Sequence, residues 1–130
     1  MEKWTHNGHE FDFDPMDYED AVRYEAAVKR FQESSDALDE HAPLGESILK
    51  GCEIYKAFFD SMFGEGTYKS LFGEKKNIRA CDEAFISLVS YVRAAGDAIF
   101  DQRVKFMGKY APRAEADSKQ KAARKSRAKG

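Results

Sequence analysis

KWTHNGHEFDF, residues 3–13, carries the clearest structural instruction in the chain. Asn7-Gly8 is the preferred pair for a two-residue type I′ turn, because both central residues of that turn need φ > 0. A turn there sets His6 opposite His9, Thr5 opposite Glu10, Trp4 opposite Phe11 and Lys3 opposite Asp12. Side chains alternate between the two faces of a strand. Trp4, His6, His9, Phe11 and Phe13 therefore share one face, and Lys3, Thr5, Glu10 and Asp12 share the other. The turn and the pattern agree on one register. An isolated two-stranded hairpin is marginal in water, so its aromatic face has to pack on something. The two candidates are the chain's own helices and strands of another subunit.

Downstream of the hairpin the period changes to that of helices. Asp14 offers an N-cap, Pro15 suits a first helical position, and Asp17, Glu19 and Asp20 complement the positive end of a helix dipole. The first helix is expected over 15–38, with Tyr18, Ala21, Tyr24, Val28, Phe31 and Leu38 as its apolar stripe. A connector leads to a second helix over 45–63. Its stripe is Ile48, Cys52, Tyr55, Phe59 and Met62, widened by Phe58 and Phe63, and Gly64 is placed to end it in the left-handed conformation. A short helix over 67–72 is closed by Gly73. Asn77 then caps a long third helix over 77–110, in which Ile78, Cys81, Phe85, Leu88, Val92, Ala95 and Ile99 step by threes and fours. After a polar slot at Gln102 and Arg103 the pattern resumes at Phe106 and Tyr110. Such regularity predicts a helix packed along most of its length, with Gly96 marking a close crossing or a slight bend.

The expected fold class is mainly α, with only a minor α+β character: an N-terminal two-stranded antiparallel β-hairpin over 1–14 and a three-helix body with one extra short helix. Together they make a single domain over 1–110. A chain of 130 residues supports one core. Ten of its residues are Phe, and each aromatic ring can bury roughly 150–250 Å². Cys52 and Cys81 fall on apolar stripes and read as buried free thiols. No stretch is apolar enough to cross a membrane, and the polar start MEKWTHNGHE has no signal-peptide character.

The formal net charge of −2 conceals an asymmetry. Residues 1–46 hold 13 acidic and 4 basic side chains, a local −9, whereas residues 111–130 hold 7 basic and 2 acidic, a local +5. The last stretch has no large apolar residue with which to offset its ordering entropy, and is expected to be a flexible basic tail. Arg113, Lys119, Lys121, Arg124, Lys125, Arg127 and Lys129 are its candidate contacts to nucleic acid or to an acidic partner. Without interleaved aromatics or a nucleic-acid module, a protein-binding or solubilising tail is the favoured reading.

Catalytic chemistry finds little support in the residues. Gly64-Glu65-Gly66 lacks the rest of a phosphate loop, and no His-Glu-x-x-His, Cys-x-x-Cys or Gly-x-Ser-x-Gly occurs. His6 and His9 face each other on the hairpin, but such a pair reads more simply as the polar end of an aromatic face than as a metal site. The acidic run from Asp14 to Asp20 lacks calcium-loop spacing. No enzyme activity, cofactor or metal is therefore expected. The Phe58-Phe59…Phe63 and Leu71-Phe72 cluster reads first as core and second as a displayed partner-binding surface. With the hairpin aromatics, the candidate partner-binding set is Trp4, Phe11, Phe13, Phe58, Phe59, Phe63, Tyr68, Leu71 and Phe72.

The order of features is also familiar. The hairpin leads into HEFDFDPMDYEDAVRYEAAV, and FFDSMFGEGTYKSLFGEKKN and RACDEAFISLV follow. Over residues 4 to 110 this resembles a family of small tailed-phage and prophage proteins of Gram-positive bacteria, found among tail morphogenesis genes and regarded as tail-assembly-chaperone-like. The most specific piece runs from Phe58-Phe59-Asp60 through Phe63-Gly64-Glu65-Gly66-Thr67 to Phe72-Gly73 and Asn77. The resemblance implies a non-enzymatic protein in the cytoplasm of a bacterial host, which binds phage tape measure and tail-tube proteins; the unpaired hairpin edge and the long regular helix add the expectation of a homo-oligomer. Two other readings stay open: a phage accessory protein that binds a host factor, and a weak, non-specific nucleic-acid binder acting through the tail.

Overall fold

The computed structural model describes residues 2–110, the side chains of residues 109 and 110 excepted. The elements run β1 (Lys3–His6), β2 (His9–Asp12), α1 (Tyr18–Asp36), α2 (Leu44–Phe63), α3 (Thr67–Phe72) and α4 (Ile78–Tyr110). The protein is mainly helical with an N-terminal antiparallel hairpin, as the sequence pattern predicts. The hairpin register pairs Lys3 with Asp12, Trp4 with Phe11, Thr5 with Glu10 and His6 with His9. Asn7 and Gly8 take φ of 48° and 82°, as a type I′ turn demands.

The first helix starts later than the sequence suggests. Asp17, not Asp14, is its N-cap, accepting from the Asp20 backbone N–H at 3.3 Å. Asp14 is used differently: its carboxylate accepts from the Met16 N–H at 2.9 Å, and its own N–H donates to Asp20 Oδ2 at 2.9 Å. Pro15 thus lies in the turn before the helix, and is buried. The α1 stripe also differs, for Ala27 is its fully buried residue while Tyr18 is 80 % exposed. Gly64 ends α2 with a positive φ of 110°, but its ψ of 156° lies outside the left-handed helical region; Gly66 (93°, −5°) occupies that region instead.

The core forms where the elements converge. Phe31 of α1 meets Tyr55 and Phe58 of α2 and Phe85 of α4, with ring centroids 5.0, 5.9 and 4.6 Å away. Arg23 donates from Nε to the Met62 carbonyl at 2.9 Å. Because Arg23 meets Met62 while Phe31 meets Tyr55, α1 and α2 run antiparallel. The hairpin seats its aromatic face on this body: Trp4 stacks on Phe63 and Phe59 with centroids at 5.6 and 6.2 Å, and Tyr91 OH donates to the Phe13 carbonyl at 2.8 Å. Of the two partners open to the hairpin, the chain's own helices are the one it uses.

One compact unit ends at Arg93 and a second begins at Ala94, within α4. Cys81, Ala84 and Leu88 are fully buried, whereas Ile99 and Phe106, which continue the same stripe, are 37 % and 62 % exposed. The long helix is therefore not buried along most of its length.

Candidate partner-binding surface

The aromatic set singled out from the sequence is brought together, but inward. Trp4, Phe13, Phe58, Phe59 and Tyr68 are buried, and Phe11, Phe63, Leu71 and Phe72 are half-buried against them. These side chains stack on one another: Phe11 on Phe63 at 4.7 Å, Phe72 against Phe59 at 5.8 Å and Tyr68 against Phe72 at 4.8 Å. Five of these nine side chains lie in the core, and the other four keep part of their surface exposed. The hairpin's Trp4, Phe11 and Phe13 occupy the aromatic face of α2 at Phe59 and Phe63. Arg113, Lys119, Lys121, Arg124, Lys125, Arg127 and Lys129, with the tail over 111–130, lie outside the described residues.

Between α2, α3 and α4 lies a buried polar cluster. Cys52 and Cys81 are free thiols, and Cys81 Sγ lies 3.8 Å from Tyr68 OH, which interacts with both sulfurs. Burial pushes the Cys81 thiol up to about 12 and raises the Tyr68 and Tyr55 hydroxyls well above their ordinary value. For Tyr55, donation to the Asp82 carboxylate adds to the effect. A nucleophile needs the opposite shift, toward the thiolate. These groups are equipped to hold protons and pack helices, not to attack a substrate.

Asp60 organises the joint between α2 and α3. Its carboxylate accepts from the Tyr68 N–H at 2.9 Å and pairs with Lys56 at 3.0 Å. Burial alone would raise its pKa, but the bonds from Tyr68, Lys56 and Gly66 outweigh that and lower it. The surface depressions near these elements are small or wide open. A groove of about 140 Å³ reaches Cys52 and Tyr68 beside Lys56 and Lys76, and one of about 80 Å³ lies between α1 and α2 over Phe31 and Phe58. Among the described residues, no three His, Cys, Asp or Glu side chains converge on a point where a metal could sit. No helix is long and apolar enough to cross a membrane.

What the described surface displays is apolar helix. At about 100° per residue, Ile99, Phe100, Arg103, Phe106 and Met107 fall on one face of α4. Their apolar members are 37, 41, 62 and 53 % exposed, and Arg103 is exposed at the centre of the face. On α1, Tyr18 and Val22 are 80 % and 44 % exposed, one turn apart. The sequence reading assigned Tyr18 and Ile99 to buried stripes. For Ile99 the polar slot at Gln102 and Arg103 is the signal that the stripe has stopped being buried, since a buried stripe rarely carries a guanidinium in its middle.

No curated protein and no solved structure matches the chain. Residues 7–128 match the family of unknown function DUF6673, and the chain belongs to that family.

Proposed function

We propose that the protein is a non-enzymatic, chaperone-like binding protein of phage tail assembly, which holds tape measure or tail-tube protein in the cytoplasm of a bacterial host. The observation that carries this reading is the α4 face of Ile99, Phe100, Phe106 and Met107, a run of large apolar side chains exposed on a helix. An exposed apolar stripe of this kind fits the groove or flank of another amphipathic helix, with Ile99 and Phe106 as anchors seven residues apart. A tape measure protein is a long helical chain that has to be kept from aggregating, so it is a suitable occupant. The resemblance carried by residues 58–77 supports the same assignment, and the Cys81 thiol and the Tyr55 and Tyr68 hydroxyls, all held protonated by burial, fit a protein without a reacting centre. The test is co-expression with a tape measure protein from the same genome. The expected result is soluble tape measure protein that co-purifies with the chain, and that returns to the insoluble fraction with Phe106→Asp. A tape measure protein that stays insoluble with the wild-type chain at low and at high salt would sink the proposal.

A further inference from the structure

The hairpin is a two-stranded sheet, so each of its strands keeps an open edge. The Phe13 N–H donates to the Glu2 carbonyl at 3.2 Å, and in an antiparallel ladder every second pair is bonded in this way. Trp4 with Phe11 and His6 with His9 are then the next bonded pairs, and the N–H and C=O groups of Glu10 and Asp12 point outward from β2. Among the described residues no further backbone group meets them. Beside this edge lies an open hollow of about 470 Å³, lined by Phe11 and Asp12 of β2, Arg23 of α1, and Asp60, Met62 and Phe63 of α2. Among the described residues none of β1 lines it, so it opens on the β2 side.

The charges around the hollow are matched except for one. Arg23 pairs with Asp20 at 3.1 Å and Lys56 with Asp60 at 3.0 Å. Lys3, the one lysine or arginine of residues 3–13, pairs with Glu10 at 3.6 Å. Asp12 is exposed and has no ion-pair partner among the described residues. The floor of the hollow is apolar, for Phe11 and Phe63 stack there at 4.7 Å and are only half-buried.

We propose that the β2 edge binds an extended segment of another protein as a third, antiparallel strand, with a lysine or arginine opposite Asp12 and the next residue, an apolar one, over Phe11 and Phe63. Directly opposed residues share a face, so the basic residue stands on the solvent side and its successor enters the hollow. The backbone of Glu10 and Asp12 supplies affinity, and the alternation of basic and apolar side chains supplies selectivity. A second copy fits this edge poorly. Its β2 would set Glu10 and Asp12 against like charges, and its β1, which offers Lys3, has Trp4 buried in its own fold at 1 % exposure and so has no side chain for the hollow. A strand this short buries little area, so the binding is weak and salt-dependent. No residue of the exposed α4 run lines the hollow, so this edge and the function proposed above can fail separately.

Titration of the full chain with a short synthetic peptide in which lysine alternates with valine, read by backbone amide spectra and hydrogen exchange, tests it. The expected result is saturable binding that slows exchange at the Glu10 and Asp12 amides and leaves those of Lys3 and Thr5 unchanged. The matching glutamate–valine peptide should bind at least about fivefold more weakly, and Asp12→Lys should reverse that order of preference. Methylating the backbone nitrogens of the peptide's lysines, which face β2, should abolish binding, whereas methylating those of its valines should not. Should Asp12→Lys fail to fold, the methylated peptides read the same edge on the wild-type chain. No saturable binding, protection at Lys3 and Thr5 instead, equal binding of the two peptides, or binding indifferent to which nitrogens are methylated would each overturn the proposal. Slow exchange at Glu10 and Asp12 without peptide would overturn it too, assigning the edge to a second copy where the protection grows with protein concentration and to the chain itself where it does not.

Discussion

The indole N–H of Trp4 donates to the Ser87 hydroxyl at 3.2 Å, joining residues 83 positions apart. Trp4 is 1 % exposed, so this bond satisfies a donor that water cannot reach, and it fixes the hairpin against α4. Replacing Ser87 by Ala leaves that donor unpaired and should cost about 1–3 kcal/mol. Trp4→Ala removes the ring as well and should cost about 3–5 kcal/mol. Chemical denaturation of both variants checks the order. Trp4 is the only tryptophan, so its emission in Ser87→Ala also reports whether the hairpin stays docked.

Asp60→Ala should loosen α3 selectively. The carboxylate holds the Tyr68 N–H and Lys56 Nζ, and hydrogen bonds to a charged group are worth about 1.5–3 kcal/mol each way they are broken. Hydrogen exchange should show faster exchange at the Tyr68 amide, with α1 little changed. Because the folded state lowers the Asp60 pKa, this contribution is present above the ordinary value of 3.8 and is lost as the pH falls through the folded one.

Alkali should unfold the protein earlier than its charge alone implies. The folded chain raises Cys81 from 9.0 to about 12, and raises Tyr55 and Tyr68 from 10.0. Above pH about 9 the unfolded chain therefore binds fewer protons than the folded one, and stability falls with rising pH. The stabilisation is complete below that point and drains away toward the folded values. Melting temperatures measured from neutral pH upward should hold level, then decline. Cys81→Ala should delay the onset of that decline to the tyrosine range, whatever it does to the plateau.

At Gly51 the backbone of α2 lies close against Ile78 of α4. A Cβ there would stand 2.8 Å from Ile78 Cδ1. That atom is the end of a flexible side chain, so Gly51→Ala should come out within about 1 kcal/mol of neutral, a helix-propensity gain offset by the rotation of Ile78. In an Ile78→Val background, which lacks that atom, the same change should stabilise by nearly the full propensity gain of about 1 kcal/mol. Gly51→Ile should instead lose about 1–3 kcal/mol to overpacking. Thermal melts of the four variants separate these outcomes.

The hairpin was legible to the single residue pair because two independent signals, the Asn7-Gly8 turn and the alternation from Lys3 to Phe13, fix the same register. The Asn77 cap was equally plain, and its side chain accepts from the Ala80 N–H at 3.1 Å. The start of α1 was not, because Asp14 and Asp17 are both competent caps and only the three-dimensional use of Asp14 in the preceding turn decides between them. Ala27 and Ala84 were missed as core for a related reason. A small residue sits deepest where helices approach most closely, yet it adds nothing to a stripe read from large side chains. The far end of α4 misled in the opposite sense. A periodic apolar stripe states that a helix has something to cover, not whether the cover belongs to the same chain.

The seating of the hairpin has a consequence for the order of synthesis. Residues 3–13 leave the ribosome before the groups that hold them, Phe59, Phe63, Ser87 and Tyr91. A ribosome-bound chain cut short before Ser87 therefore carries a finished turn with its aromatic face still wet. The hairpin is made before its seat, and it is locked only when that seat has followed it out.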